Sequence, residues 1–106
     1  MQLTDLLGEW EITSMDAWDD EYIHAVVDKA QIKFLPNGGV IDFGYVFGLI
    51  DYRIGNEKVE FSWDGDDEGE EVSGRGYLTI KENSMEGKIF FHFGEESKFT
   101  AEKIQK

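Results

Sequence analysis

The sequence predicts an all-β fold with one short helix, built as an antiparallel meander of seven or eight strands closed into a small barrel or a sandwich. Three observations carry that expectation. Apolar side chains alternate with polar ones at a period of two through most of the chain, as half-buried strands require. Clusters of Gly, Pro, Asn and Asp, which favour tight turns, separate the alternating runs. Only one stretch spaces its large side chains as a helix does, so successive strands follow one another and pair with their neighbours. Closing such a meander also removes exposed strand edges.

The first strand is expected over residues 8–14, where Trp10 and Ile12 share one face and Glu9, Glu11 and Thr13 the other. Residues 15–30 break the rhythm. Trp18, Tyr22 and Val26 recur at i, i+4 and i+8 beside Ile23 and Val27, which predicts a short helix buried along one stripe. Asp16 suits its N-cap, and Asp19 and Asp20 suit the positive end of its dipole. Residues 31–35 alternate again through Ile32 and Phe34, and Pro36, Asn37, Gly38 and Gly39 supply a tight hairpin into a strand over 40–44. Residues 45–54 are apolar on both faces, so they either continue that strand through a bend at Gly44 or Gly48 or form a strand of their own. Gly55 and Asn56 then turn the chain into a strand with Val59, Phe61 and Trp63 on its inner face.

Residues 64–71 read as a polar loop, 72–81 as a strand, 82–84 as a turn and 85–93 as a strand. Residues 94–96 close a last hairpin into 97–103. Ile89, Phe91 and Phe93 fall on one face of their strand and Phe90 and His92 on the other, so the helix or a second subunit is expected to cover that outer side.

A chain of 106 residues fits one domain, residues 1–106. Its apolar fraction of 41%, with eight Phe and three Trp, is too high for a disordered acidic chain, so it should fold. Cysteine is absent, which rules out disulfides, a thiolate nucleophile and zinc–sulfur sites and suits a reducing compartment. No apolar run approaches the roughly 20 residues that cross a bilayer as a helix. The start of the chain lacks the basic and apolar blocks of a signal peptide, so the expected location is the cytoplasm. Twenty-three acidic against ten basic residues give a net charge of −13, which repels nucleic acid and anionic membranes. The expected partner is a basic protein or a small ligand, with no cofactor, and the chain itself a monomer or homodimer.

The acidic run 64–71 invites a calcium reading, because hard cations want several oxygen ligands from one loop. In EF-hand spacing from Asp64, Gly69 falls at the turn position, but the twelfth position is Arg75 where a bidentate glutamate is needed, so a solvated loop is the preferred reading. His24 and His92 are the only histidines; His92, just before Gly94, Glu95 and Glu96, is the one candidate for acid–base chemistry, with a structural role preferred. No nucleophile elbow, phosphate-cradling loop, dinucleotide fingerprint or zinc-protease motif occurs. Arg53 and Arg75 are the only arginines, and both are expected to pair with carboxylates, fixing loops in preference to holding a ligand. The three tryptophans read as packing residues, with Trp18 the candidate exception because Asp16 and Asp19 flank it as in interface anchors and cation sites. Asp16, Trp18, Asp19, Asp66, Asp67, Arg75 and His92 are therefore the candidate binding residues.

Gly8-Glu-Trp10 resembles the Gly-x-Trp that opens many lipocalin-type barrels, and this implies an eight-stranded cup for a small apolar ligand; the last strand here has no arginine to cover the tryptophan. A broader likeness runs through Gly8 and Trp10, residues 15–19, residues 61–68, residues 73–76, and residues 87–94 with Ser97. On these the chain resembles a group of short acidic bacterial proteins with no assigned activity, which implies a shared fold and leaves function open. The leading expectation is a non-enzymatic binding module whose acidic rim engages a basic partner. The first alternative is an inhibitor that mimics nucleic acid, disfavoured because most acids fall in expected loops; the second is a small hydrolase or isomerase built on His92.

Overall fold

The computed structural model describes residues 2–24 and 29–104. Eight strands run in sequence order and close on themselves: β1 (Gly8–Met15), β2 (Gln31–Leu35), β3 (Gly38–Phe43), β4 (Val46–Ile54), β5 (Val59–Asp67), β6 (Glu70–Lys81), β7 (Ser84–Phe91) and β8 (Glu96–Lys103). Every neighbouring pair is antiparallel, and β1 pairs with β8 to complete the barrel. Two one-turn helices, α1 (Leu3–Leu6) and α2 (Asp20–Ile23), flank β1. No helix among the described residues is long and apolar enough to cross a membrane.

The alternation read from the sequence is the inside–outside alternation of this barrel. Trp10, Ile12, Ile32, Phe34, Ile41, Phe43, Val59, Leu78, Ile89 and Phe99 are buried within it. The interior is packed solid because large rings face glycines across the sheet. Phe34 lies opposite Gly39, Phe61 opposite Gly76, Trp63 opposite Gly74 and Phe99 opposite Gly87. A methyl group on Gly76 would strike the Phe61 ring, and one on Gly87 the Phe99 ring. Such large–small pairing lets an eight-stranded barrel of narrow bore hold many aromatic rings. The strand number is the one the lipocalin likeness implies, but side chains fill the space where a cup would hold its ligand. Lys103 covers Trp10: its Nζ lies 5.0 Å from the Trp10 ring centroid and donates to the Leu7 carbonyl at 2.6 Å.

Three expectations are corrected. Among the described residues the helix expected over 15–30 is a single turn, Asp20–Ile23, capped by Asp19, whose side chain accepts from the Tyr22 amide at 2.9 Å; Asp16 is not its cap. Met15 belongs to β1, where a register shift between Ile12 and Ser14 exposes Thr13 and Ser14 in succession before Met15 turns inward. Val26 and Val27 lie outside the described residues. The acidic run is no loop: β5 continues to Asp67 and β6 begins at Glu70, joined by Glu68 (φ 54°) and Gly69 (φ 90°) in the left-handed pair that primed hairpin turns use. Phe93 does not face inward, because β7 ends at Phe91 and Phe93 is 98% exposed.

Residues 45–54 resolve as a separate strand. Gly44 and Tyr45 turn the chain between β3 and β4, with Gly44 at φ 53° and its amide donating to the Ile23 carbonyl at 2.9 Å. Any side chain at Gly44 would collide with the Tyr22 ring, so this glycine is where α2 docks.

Candidate functional site

Register decides which carboxylates stand together. On the outer face, Asp42 of β3, Phe47 of β4, Asp66 of β5 and Glu71 of β6 form one row across four strands. The adjacent row is Val40, Leu49, Asp64 and Ser73. Neighbours within a row have Cβ atoms about 4.5–5.5 Å apart, and the rows are about 6.6–6.8 Å apart along each strand. Phe47 (44% exposed) and Leu49 (56% exposed) therefore form an apolar stripe with carboxylates on both sides of Phe47 and Asp64 beside Leu49. Tyr45, 46% exposed at the turn before β4, extends it. Burial pushes the Asp42 carboxyl above its ordinary value of 3.8, as a carboxylate partly shielded from water should behave.

Asp66 stands on this face. Asp67, one residue on, points the other way, toward the barrel end that holds Tyr22, so the pair reaches two different surfaces. Burial, reinforced by the Asp67 and Glu68 carboxylates, raises the Tyr22 phenol above 10.0, against the smaller opposite effect of a backbone hydrogen bond at Tyr45. The same alternation separates the would-be calcium ligands, and among the described residues no three His, Cys, Asp or Glu side chains converge as a metal site would need.

Asp16, Trp18 and Asp19 hold the fold together at that same end. Asp16 Oδ1 accepts from the Ser97 hydroxyl at 2.9 Å and from the Lys98 amide at 2.8 Å, which ties the exit of β1 to β8. The Ser97 hydroxyl, followed by the Lys98 amide, keeps the Asp16 carboxyl below its ordinary 3.8. Trp18 is half-buried and packs against Phe43 (centroids 5.2 Å), Phe91 (5.6 Å) and Tyr22 (6.2 Å), closing the barrel mouth as a lid of rings.

Arg75 and His92 come together. Arg75 of β6 pairs in register with Phe90 of β7, and the His92 amide donates to the Ser73 carbonyl at 2.7 Å, so both side chains border one groove of about 620 Å3 on the outer surface. The expected carboxylate partners are not there. Among the described residues neither Arg53 nor Arg75 forms an ion pair, and the pair present is Lys88 with Glu96 at 2.9 Å. Arg75 instead lays its guanidinium 4.2 Å from the Phe90 ring centroid. The His92 imidazole has no carboxylate hydrogen-bonded to it among the described residues; it packs on Phe93 at 4.0 Å between centroids. The helix expected to cover this side sits at the barrel mouth, and His92 is exposed. His24 is engaged structurally, its Nδ1 accepting from the Ala30 amide at 3.3 Å.

Sequence reasoning missed Asp42, Phe47, Leu49 and Asp64 as a group, because only strand register assembles them. Glu68-Gly69, a residue–glycine pair between alternating acids, was the available sign that 64–71 is a hairpin. None of the family models, curated proteins or solved structures compared with this chain matches it.

Proposed function

We propose that this chain is a non-enzymatic binding module that engages a basic partner through the outer face of β3–β6. The observation that carries the reading is the row Asp42, Phe47, Asp66 and Glu71, with Leu49 and Asp64 beside it: an apolar stripe bordered by carboxylates on a rigid sheet. Exposed aromatic and aliphatic residues supply contact area, and the carboxylates select a cationic surface and speed encounter. The partner is a protein segment carrying Lys or Arg around apolar side chains, met in a reducing cytoplasm, where a cysteine-free chain has nothing to lose.

A second reading has a specific observation behind it. Asp64 and Asp66 stand at regular spacing on a strand, with Glu71 opposite Asp66, where a loop was expected, so the objection to nucleic-acid mimicry drawn from irregular acids no longer holds. A basic groove built for phosphates would accept such a row.

The test is titration with a peptide of alternating Lys and Leu, followed by fluorescence anisotropy. The Asp64→Lys/Asp66→Lys pair should weaken binding at least about tenfold, and Leu49→Ser about threefold or more, corresponding to losses of about 1.4 and 0.7 kcal/mol. Glu82→Lys/Glu86→Lys, the same charge change at the β6–β7 end, should cost under about twofold. Equal losses in the two charge-reversed pairs would mean that only net charge is being sensed and would end the proposal. Displacement of the chain from a basic nuclease by duplex DNA would favour mimicry.

A further inference from the structure

We infer that the groove between β5, β6 and β7 at Arg75 binds a small planar ring carrying one oxyanion group, at a site separate from the acidic face. The argument starts from Phe93. Its φ of 58° lies in the left-handed region, where a bulky side chain is strained and glycine or asparagine is usual. The residue is 98% exposed and its one ring contact is with the exposed His92, so burial in the core returns nothing for that strain. Gly94 is the next residue in the same turn, where its amide donates to the Phe91 carbonyl at 3.0 Å, so the chain has a glycine at hand and still places an aromatic at the strained position. A ring contact between two exposed residues is a small return for the strain, and a ligand stacked on Phe93 would add the rest.

The groove beside it supplies the complement. Phe90 lines one wall, with the Arg75 guanidinium preset over its ring and making no hydrogen bond to protein among the described residues. His92 and Phe93, ring against ring, stand at its edge. Ser62, Ser73 and Gly74 line the same space, and any side chain at Gly74 would hit the Phe90 carbonyl and the Trp63 indole. With the Phe90 ring already covered by the Arg75 guanidinium and the Lys88 ammonium, a ring can stack on Phe93 while its carboxylate or phosphate takes the planar N–H donors of Arg75. The size limit comes from charge. With −13 overall and Glu95 close by in the chain, each added negative group meets more repulsion, so one oxyanion is favoured and a polyanion is not.

The experiment is a two-dimensional amide NMR titration of the intact chain with phenyl phosphate and, separately, benzoate. Saturable shifts confined to residues 73–75 and 90–94 are expected with at least one of them. Inorganic phosphate and benzyl alcohol, each holding half of the recognised chemistry, should bind at least about tenfold more weakly. Arg75→Gln should weaken binding by about tenfold or more. Phe93→Gly should lose binding while melting at the same temperature or higher, which separates a ligand contact from a structural one. Phosphate binding as tightly as phenyl phosphate, retained affinity in Phe93→Gly, a lowered melting temperature in that variant, or no saturable shifts with either probe would each overturn the assignment.

Discussion

Asp16 shows how a residue that looks free for recognition can be committed to the fold. Its carboxylate accepts from the Ser97 hydroxyl and the Lys98 amide, and both bonds favour the charged form. A carboxyl whose folded pKa is depressed adds stability above its unfolded value and loses it as the pH falls through the folded value. Wild-type stability should therefore include an increment from Asp16 above about pH 4 that disappears on further acidification. Asp16→Asn should melt lower than wild type at pH 7, and the gap should narrow as the pH falls below the ordinary carboxylate value in parallel calorimetric scans; a gap independent of pH would remove the carboxylate from the explanation. Asp42 has the opposite sign, since burial raises its carboxyl: it is held charged at a disadvantage above pH 4. That disadvantage is what a docking cation would relieve.

Among the elements, the pairing of rings with glycines sets the bore of the barrel. Trp63 faces Gly74, Phe61 faces Gly76 and Phe99 faces Gly87, so the residues with no side chain are as much part of the core as the rings. Gly76→Ala would drive its methyl into both the Phe61 ring and the Lys88 carbonyl, and backbone cannot move aside as a flexible side chain can. Overpacking of this kind costs about 1–3 kcal/mol, and the backbone clash puts it at the upper end. Urea denaturation should show that loss, whereas Gly69→Asn, in the open primed turn where a methyl group meets nothing, should cost less, about 1 kcal/mol from the positive φ alone, because asparagine tolerates that region best among the other residues. The strands were legible because this packing imposes period two on the sequence. The helix was overread because Trp18 and Tyr22 do lie on one side at i, i+4, but they cover the barrel mouth from a bend and a single turn, which needs the same spacing as a longer helix. The 64–71 hairpin was hidden by its acids, which are poor strand formers on their own and are held here by pairing with β4 and with each other. The groove residues could be found singly in the sequence, but their meeting depends on Arg75 falling opposite Phe90, a register that no local pattern encodes.

At the scale of the molecule, one quantity acts on fold and binding with opposite signs. A barrel of 34 × 27 × 22 Å carrying −13 is comparable in size to the Debye length of about 30 Å at 0.01 M salt, so each carboxylate then feels most of the others. At 0.1 M that length falls to about 10 Å, and repulsion across the barrel is largely screened while neighbours within a row still interact. Screening relieves the self-repulsion of the compact state, so the melting temperature should rise by a few degrees between 0.01 and 0.3 M sodium chloride, equivalent to about 1 kcal/mol or less. The same screening would remove the attraction between the face around Phe47 and the basic partner proposed for it, so binding of the Lys–Leu peptide should weaken monotonically over the same range. Calorimetry and anisotropy on one set of buffers give both slopes. Opposite signs are the signature of an acidic surface whose cost to stability is retained for recognition; binding that strengthens with salt would show the apolar stripe acting alone, without its carboxylates.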